Sequence, residues 1–130
     1  MGMSFLLDTH VLIWWLLDDP KLSSDAKNVI ANSKHHIFVS SVSACEISIK
    51  HKLGKLPHLG DLKDKLPQYV RKARFEILPI SLEHGLLAGN LATKHKDAFD
   101  RMLIAQAQIE DLTIISNDKI FKNYKIPIIF

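Results

Sequence analysis

The chain has 130 residues, 47% apolar and 24% charged, which suits one ordinary globular domain with a sizeable core and excludes a compositionally disordered chain. A net charge of +3 is too small to mark a strongly basic nucleic-acid tail or an acidic one. The single cysteine, Cys45, rules out an intramolecular disulfide and suits a reducing compartment.

The apolar start, "MSFLLDTHVLIWWLL", is not expected to act as a leader or a membrane span. It lacks a cationic beginning, carries Asp8 and His10 in its middle, and falls short of the roughly 20 apolar residues that cross a bilayer. Leu6 stands where a myristoylation signal requires Ser or Thr. A cytoplasmic location is the expectation.

"SFLL" (4–7) reads as a buried strand ending at Asp8, and "THVLIWWLLD" has helical length. "SSDAKNVIANSK" (23–34) opens with Ser and Asp and spaces Ala26, Val29, Ile30 and Ala31 helically. "IFVS" (37–40) predicts a second strand. Ser41 or Ser43 then opens the helix "SVSACEISIKHKLG", with Ile47 and Leu53 inside and Gly54 as its stop. Residues 59–75 read as a helix that Pro67 must start, kink or break. "FEILPI" (75–80) predicts a third strand, and residues 81–95 a helix opened by Ser-x-x-His. "DAFDRMLIAQAQIED" (97–111) is a strong helix and "LTIIS" (112–116) a strong strand. "NDKIFKNY" reads as a turn with a helical turn, and "IPIIF" (126–130) as a strand that Pro127 directs to a sheet edge.

Strands alternating with helices imply βαβ units, and short apolar strands imply a mostly parallel sheet covered on both faces. The whole chain, 1–130, is expected to form one such domain. Ligands of such sheets bind beyond the carboxyl ends of the strands. Four acids fall near those ends or at helix starts: Asp8 after the first strand, Glu46 after the second, Asp100 in the first turn of the helix at 97–111, and Asp118 after "LTIIS".

Each acid alone also suits a helix start, where a carboxylate accepts free amides and complements the dipole. Ser43-Ala-Cys-Glu46 has the spacing of a capping box, and Asp97-Ala-Phe-Asp100 resembles one. Together, four carboxylates at one sheet edge repel one another unless their pKa values rise or a divalent cation neutralises them. Oxygen-only ligands suit Mg²⁺ or Mn²⁺. A cation so held polarises a phosphodiester and lowers the pKa of a bound water, so the chemistry implied is phosphodiester hydrolysis. Between residues 50 and 74, eight Lys and Arg face only Asp61 and Asp64. Such a stretch attracts a phosphate-rich partner or forms a solvated helical face.

"FLLDTHVLIWWL", "SVSACEISIKHKLGKL", "HKDAFDRMLIAQA" and "IISNDKIF", in this order over nearly the whole chain, resemble the PIN-domain ribonucleases, specifically the VapC-type toxins of bacterial toxin–antitoxin pairs. The resemblance implies an α/β/α sandwich around a parallel sheet and an acidic cluster that binds Mg²⁺ or Mn²⁺ to cut RNA. It implies metal-ligand and catalytic roles for Asp8, Glu46, Asp100 and Asp118, and makes Asp97 an accessory acid. Asp97 is also the better N-cap candidate and Asp100 the better ligand. Thr9 and Ser116, beside the acids, are candidate orienting groups, and Lys50, Lys52 and Lys55 are expected to border the RNA path. Ala98 replaces a common Pro and Ala44-Cys45 a common Trp, and neither change removes a carboxylate. The partners implied are RNA and a separate antitoxin protein that carries an Arg or Lys towards Asp8 and Asp100. A homodimer is the expected assembly.

His84 and His95 read as structural or exposed, Cys45 lacks a base partner, and Trp14 and Trp15 read as core or dimer packing. Two other functions stand beside the nuclease. A catalytically silent RNA-binding or scaffold module has the complete acid set against it. A phosphoacceptor domain would carry paired acids after the first strand and an Asp after a middle one, where Asp8 stands alone and "FEILPI" ends without Asp. No Gly-x-x-x-x-Gly-Lys loop occurs, which argues against an NTPase.

Overall fold

The structure is a computed structural model that describes residues 2–92 and 97–130. The described residues form five strands, β1 (Ser4–Leu7), β2 (His36–Ser40), β3 (Glu76–Leu78), β4 (Thr113–Ile115) and β5 (Ile128–Ile129). With them go six α-helices, α1 (Thr9–Leu16), α2 (Ser24–Ala31), α3 (Ser41–Lys52), α4 (Leu62–Lys72), α5 (Leu82–Asn90) and α6 (Ala98–Glu110). The strands pair in parallel in the order β3-β2-β1-β4-β5, with Leu6 opposite Phe38 on one side and Ile114 on the other. This is the α/β/α arrangement expected from the sequence, and β5 is an edge strand as Pro127 required.

Strand alternation divides β1 between two cores. Phe5 and Leu7 join Val39 and Ile115 beneath α1, α2 and α4. Leu6 and Ile114 turn to the opposite face, against Leu103, Ile104 and Ala107 of α6 and Phe121. Both faces are covered, so the strands carry unbroken apolar runs.

Several local expectations are corrected. Pro67 neither starts nor breaks α4, which runs through it. The ring removes one main-chain donor, and the stripe of Leu62, Leu66 and Val70 stays buried on either side of it. Ser43 does not open α3; Ser40 caps it by accepting the Val42 N–H at 3.0 Å, which places Ser43 inside the helix and leaves no capping box for Glu46. Leu53 is exposed, whereas Ile47 is buried. Gly54 does end α3, with φ +75°, where a side chain would be strained. β3 and β5 are shorter than their apolar runs, because Pro79 and Pro127 have no N–H to add to a ladder. α5 stops at Asn90; the predicted continuation over residues 93–95, with His95, lies outside the described residues.

Candidate active site at the β1–β4 junction

The chain leaves β1 towards β2 on one side, while β4 lies on the other, so the carboxyl ends of β1 and β4 frame the point where connections diverge. Asp8 sits there, its N–H donating to the Ile115 carbonyl at 3.1 Å. It occupies the N-cap position of α1, yet its side chain makes no capping bond. Asp8 Oδ2 instead accepts the Ser116 hydroxyl proton at 2.7 Å, and Ser116 Oγ accepts the Asp118 N–H at 3.0 Å. The Asp118 carboxylate caps the short 3₁₀ turn Lys119–Asn123 by accepting the Ile120 N–H at 3.1 Å.

Asp8 is only 6% exposed. Burial pushes its carboxyl above the ordinary carboxylate range; the Ser116 hydrogen bond and His10 pull it back, and the charges of Glu46 and Asp118 push it up again. Two of the other acids singled out in the sequence, Glu46 and Asp118, therefore act on Asp8.

Glu46 reaches this neighbourhood through α3. The Thr9 and Ser43 hydroxyls, 2.8 Å apart and buried, tie the start of α1 to α3, and Glu46 follows Ser43 by one turn on the same face. Glu46 is 3% exposed. Its Oε2 accepts a hydrogen bond from Lys50 Nζ, and its Oε1 has no hydrogen-bond donor among the described residues.

The fourth acid belongs to α6. Asp97 caps that helix, its Oδ1 accepting the N–H groups of Phe99 at 2.9 Å and Asp100 at 3.2 Å, and Asp100 stands in the first turn. Burial pulls the Lys50 ammonium down, but its hydrogen bond to Glu46 and the charges of Glu46, Asp97 and Asp100 hold it above the usual lysine value. Lys50 thus links the α3 acid to the α6 acids. Lys52 and Lys55 are exposed and stand apart from this pairing.

Asp8 and Asp118 open into a cleft of about 600 Å³ that His10, Trp14, Asn117 and Lys119 also line. The Trp14 ring lies 6.1 Å from that of Phe130 and 6.1 Å from the imidazole of His10. Trp14 and Trp15 both pack against the first core, and Trp14 also forms a wall of the cleft. The sequence favours core or dimer packing for Trp14 over a place in a groove and does not single out Asn117 or Lys119; the i, i+3 relation of Asp8, Val11 and Trp14 on one short helix is the signal that brings Trp14 to the cleft.

Arg101 donates from Nε to the Ala88 carbonyl at 2.9 Å and from Nη2 to Gly89 at 3.0 Å, closing the end of α5. His84 accepts the Ser81 N–H at Nδ1 and meets Glu110 at Nε2, a buried structural role.

The donor set suits a hard cation. Every candidate donor is a carboxylate oxygen, and the buried Oε1 of Glu46, the oxygen that Lys50 leaves unbonded, has no hydrogen-bond donor among the described residues. As the side chains stand, no three His, Cys, Asp or Glu among the described residues gather closely enough to form a ready-made cage.

The PIN domain family model matches residues 5–127. The chain belongs to the PIN-domain family. No curated protein matches it by sequence. Among solved structures, this PIN domain is similar to VapBC2 from Rickettsia felis bound to a promoter DNA fragment, at 19% identity and TM-score 0.71, with 98% of each chain covered. It is similar to FitAcB from Neisseria gonorrhoeae at 19% identity and TM-score 0.68, covering 97% of this chain and 96% of that one. A toxin–antitoxin complex from Klebsiella pneumoniae follows at 16% identity and TM-score 0.65, covering 96% and 95%.

Proposed function

We propose that this PIN domain is a metal-dependent endoribonuclease of the VapC type, the toxin of a toxin–antitoxin pair. The observation that carries the reading is Asp8: a buried carboxylate at the diverging strand ends, held by Ser116 rather than spent on its helix, and within electrostatic reach of Glu46 and Asp118.

Asp8, Glu46, Asp100 and Asp118 would hold Mg²⁺ or Mn²⁺. That cation, when bound, supplies polarisation of the phosphodiester and a lowered pKa for the attacking water. The protein's own groups prepare the reaction. Ser116 fixes the Asp8 rotamer and favours its ionised form, and the Thr9–Ser43 bond holds α3 so that Glu46 points inward. Trp14 and His10 offer ring faces to an unpaired base, and Lys119 offers a charge to phosphate. RNA is the substrate this combination fits best, with Lys52 and Lys55 bordering its path.

The antitoxin partner is supported by the similarity in fold to a toxin–antitoxin complex. A homodimer in the cytoplasm is the accompanying expectation. A catalytically silent RNA-binding or scaffold module is the second reading; the pairing of Glu46 with Lys50 favours it, because it neutralises one acid without a metal.

The deciding experiment expresses this chain alone and with the neighbouring small gene. Growth arrest relieved by the neighbour, with Mg²⁺- or Mn²⁺-dependent cleavage of RNA by the purified chain, supports the toxin. A folded, metal-supplied chain that neither arrests growth nor cuts RNA leaves the silent module.

A further inference from the structure

Lys50 lies in the last turn of α3, where a lysine ordinarily extends into water and complements the helix dipole. Here it folds back one turn to Glu46. Its side chain is only 26% exposed, and Asp97 and Asp100 act on it from α6. The Phe99 ring lies 5.9 Å from its Nζ. The ammonium therefore stands between two helices, with acids from both around it. A buried carboxylate such as Glu46 is costly without a counter-charge, and Lys50 is the cation the described residues place on it.

We propose that Lys50 is the resident counter-ion of the acidic site, holding Glu46 in the metal-free protein and yielding that carboxylate when a divalent cation enters. The inference rests on the reading of these acids as metal ligands. Ion and ammonium compete for the same oxygens, so the metal affinity of the native chain is lower than its carboxylates alone would give. The competition also filters ions by charge. A monovalent cation brings no more charge than the ammonium it must displace, and it lacks the lysine's tether. A divalent cation brings twice the charge. Lys50 in this role is a positioning residue: its hydrogen bond keeps the Glu46 carboxylate turned inward, ready for the ion.

The test titrates Mn²⁺ into the native chain and into K50M by calorimetry and by melting. Met preserves the length and apolar stem of the side chain and removes the competitor. K50M should bind Mn²⁺ at least about tenfold more tightly, the scale expected when one hydrogen bond between charged groups no longer has to be broken. Metal-free K50M should melt below the native chain, and Mn²⁺ should raise its melting temperature by more than it raises the native one. A purely structural lysine would lower both melting temperatures together and leave the affinity unchanged, and that outcome overturns the proposal.

A second readout needs no variant. The rate at which a small acylating reagent labels Lys50, followed by mass spectrometry, should rise when the native chain is saturated with Mn²⁺; an unchanged rate overturns the proposal even if K50M does not fold. If both chains bind Mn²⁺ equally, the Lys50 proposal falls and the metal reading stands. If neither binds, both fall.

Discussion

Ser116 gives its hydroxyl proton to Asp8 across 2.7 Å and receives the Asp118 N–H at 3.0 Å, so one hydroxyl joins two of the candidate site's acids. Because Ser116 accepts from Asp118, its own proton is directed at Asp8. The bond favours the ionised form of a carboxyl that burial drives the other way.

Replacing Ser116 by Ala should therefore raise the pKa of Asp8. The acid limb of the pH–rate profile for RNA cleavage should move to higher pH, and cleavage should fall by about 10–100-fold, as for other residues that orient a metal ligand. An unshifted acid limb would separate Asp8 from the ionisation that limits the reaction.

Asp8→Asn should abolish cleavage and stabilise the metal-free protein near neutral pH. The folded pKa of Asp8 is raised above its ordinary 3.8. The protonated carboxyl thus favours the fold below 3.8, and that contribution is lost as pH rises through the folded value. Above it, the native chain carries an ionised buried carboxylate that Asn removes. The variant should melt a few degrees higher at pH 7, at roughly 3 °C per kcal/mol for a chain of this size, and the gain should vanish below pH 3.8. A loss of melting temperature at pH 7 would contradict the sign.

Asp97 and Asp100 should separate. Asp97→Ala removes a cap that accepts two N–H groups and should cost about 1 kcal/mol in urea unfolding. Its effect on cleavage should be the smaller of the two. Asp100→Asn should leave the cap intact and reduce cleavage by about a hundredfold or more, the loss expected when a metal ligand goes. The reverse order would exchange their roles.

Electrostatic and stacking contributions to RNA binding should be distinguishable by salt. Lys52→Ala with Lys55→Ala, in an inactive background, should flatten the log–log salt dependence of binding by up to roughly 0.7 for each phosphate no longer neutralised. Trp14→Ala should weaken binding by about 1–3 kcal/mol with the slope unchanged, as removal of one stacking platform does. A flattened slope in the tryptophan variant would show that the cleft wall acts through something other than stacking.

The layered fold was legible because both faces of the sheet are buried, and buried strands announce themselves as apolar runs such as "SFLL" and "LTIIS". Boundaries set by a single side chain were less so. Three serines precede Glu46 within six residues, and only the Val42 N–H bond to Ser40 decides which one caps α3. Pro67 left a start, a kink or a break open, and the start and the break are excluded because the helix runs on through it with Leu62, Leu66 and Val70 buried. At the candidate site, strand ends located Asp8 and Asp118 and a helix start located Asp97 and Asp100. Lys50 was grouped with Lys52 and Lys55 by charge alone, although its i, i+4 spacing from Glu46 on one helix was the signal for their ion pair.

The bond between Ser116 and Asp8 spans 108 positions of the chain. Its two ends are consequently made far apart in time. At translation rates of about 5–20 residues per second, Asp8 leaves the peptidyl-transferase centre roughly 5–20 seconds before Ser116 is joined. Until then β1 has no β4 beside it, and Asp8 has no hydroxyl to orient it. A nascent chain therefore lacks this buried, oriented carboxylate for most of its synthesis, and the arrangement is completed only when the last tenth or so of the chain is added.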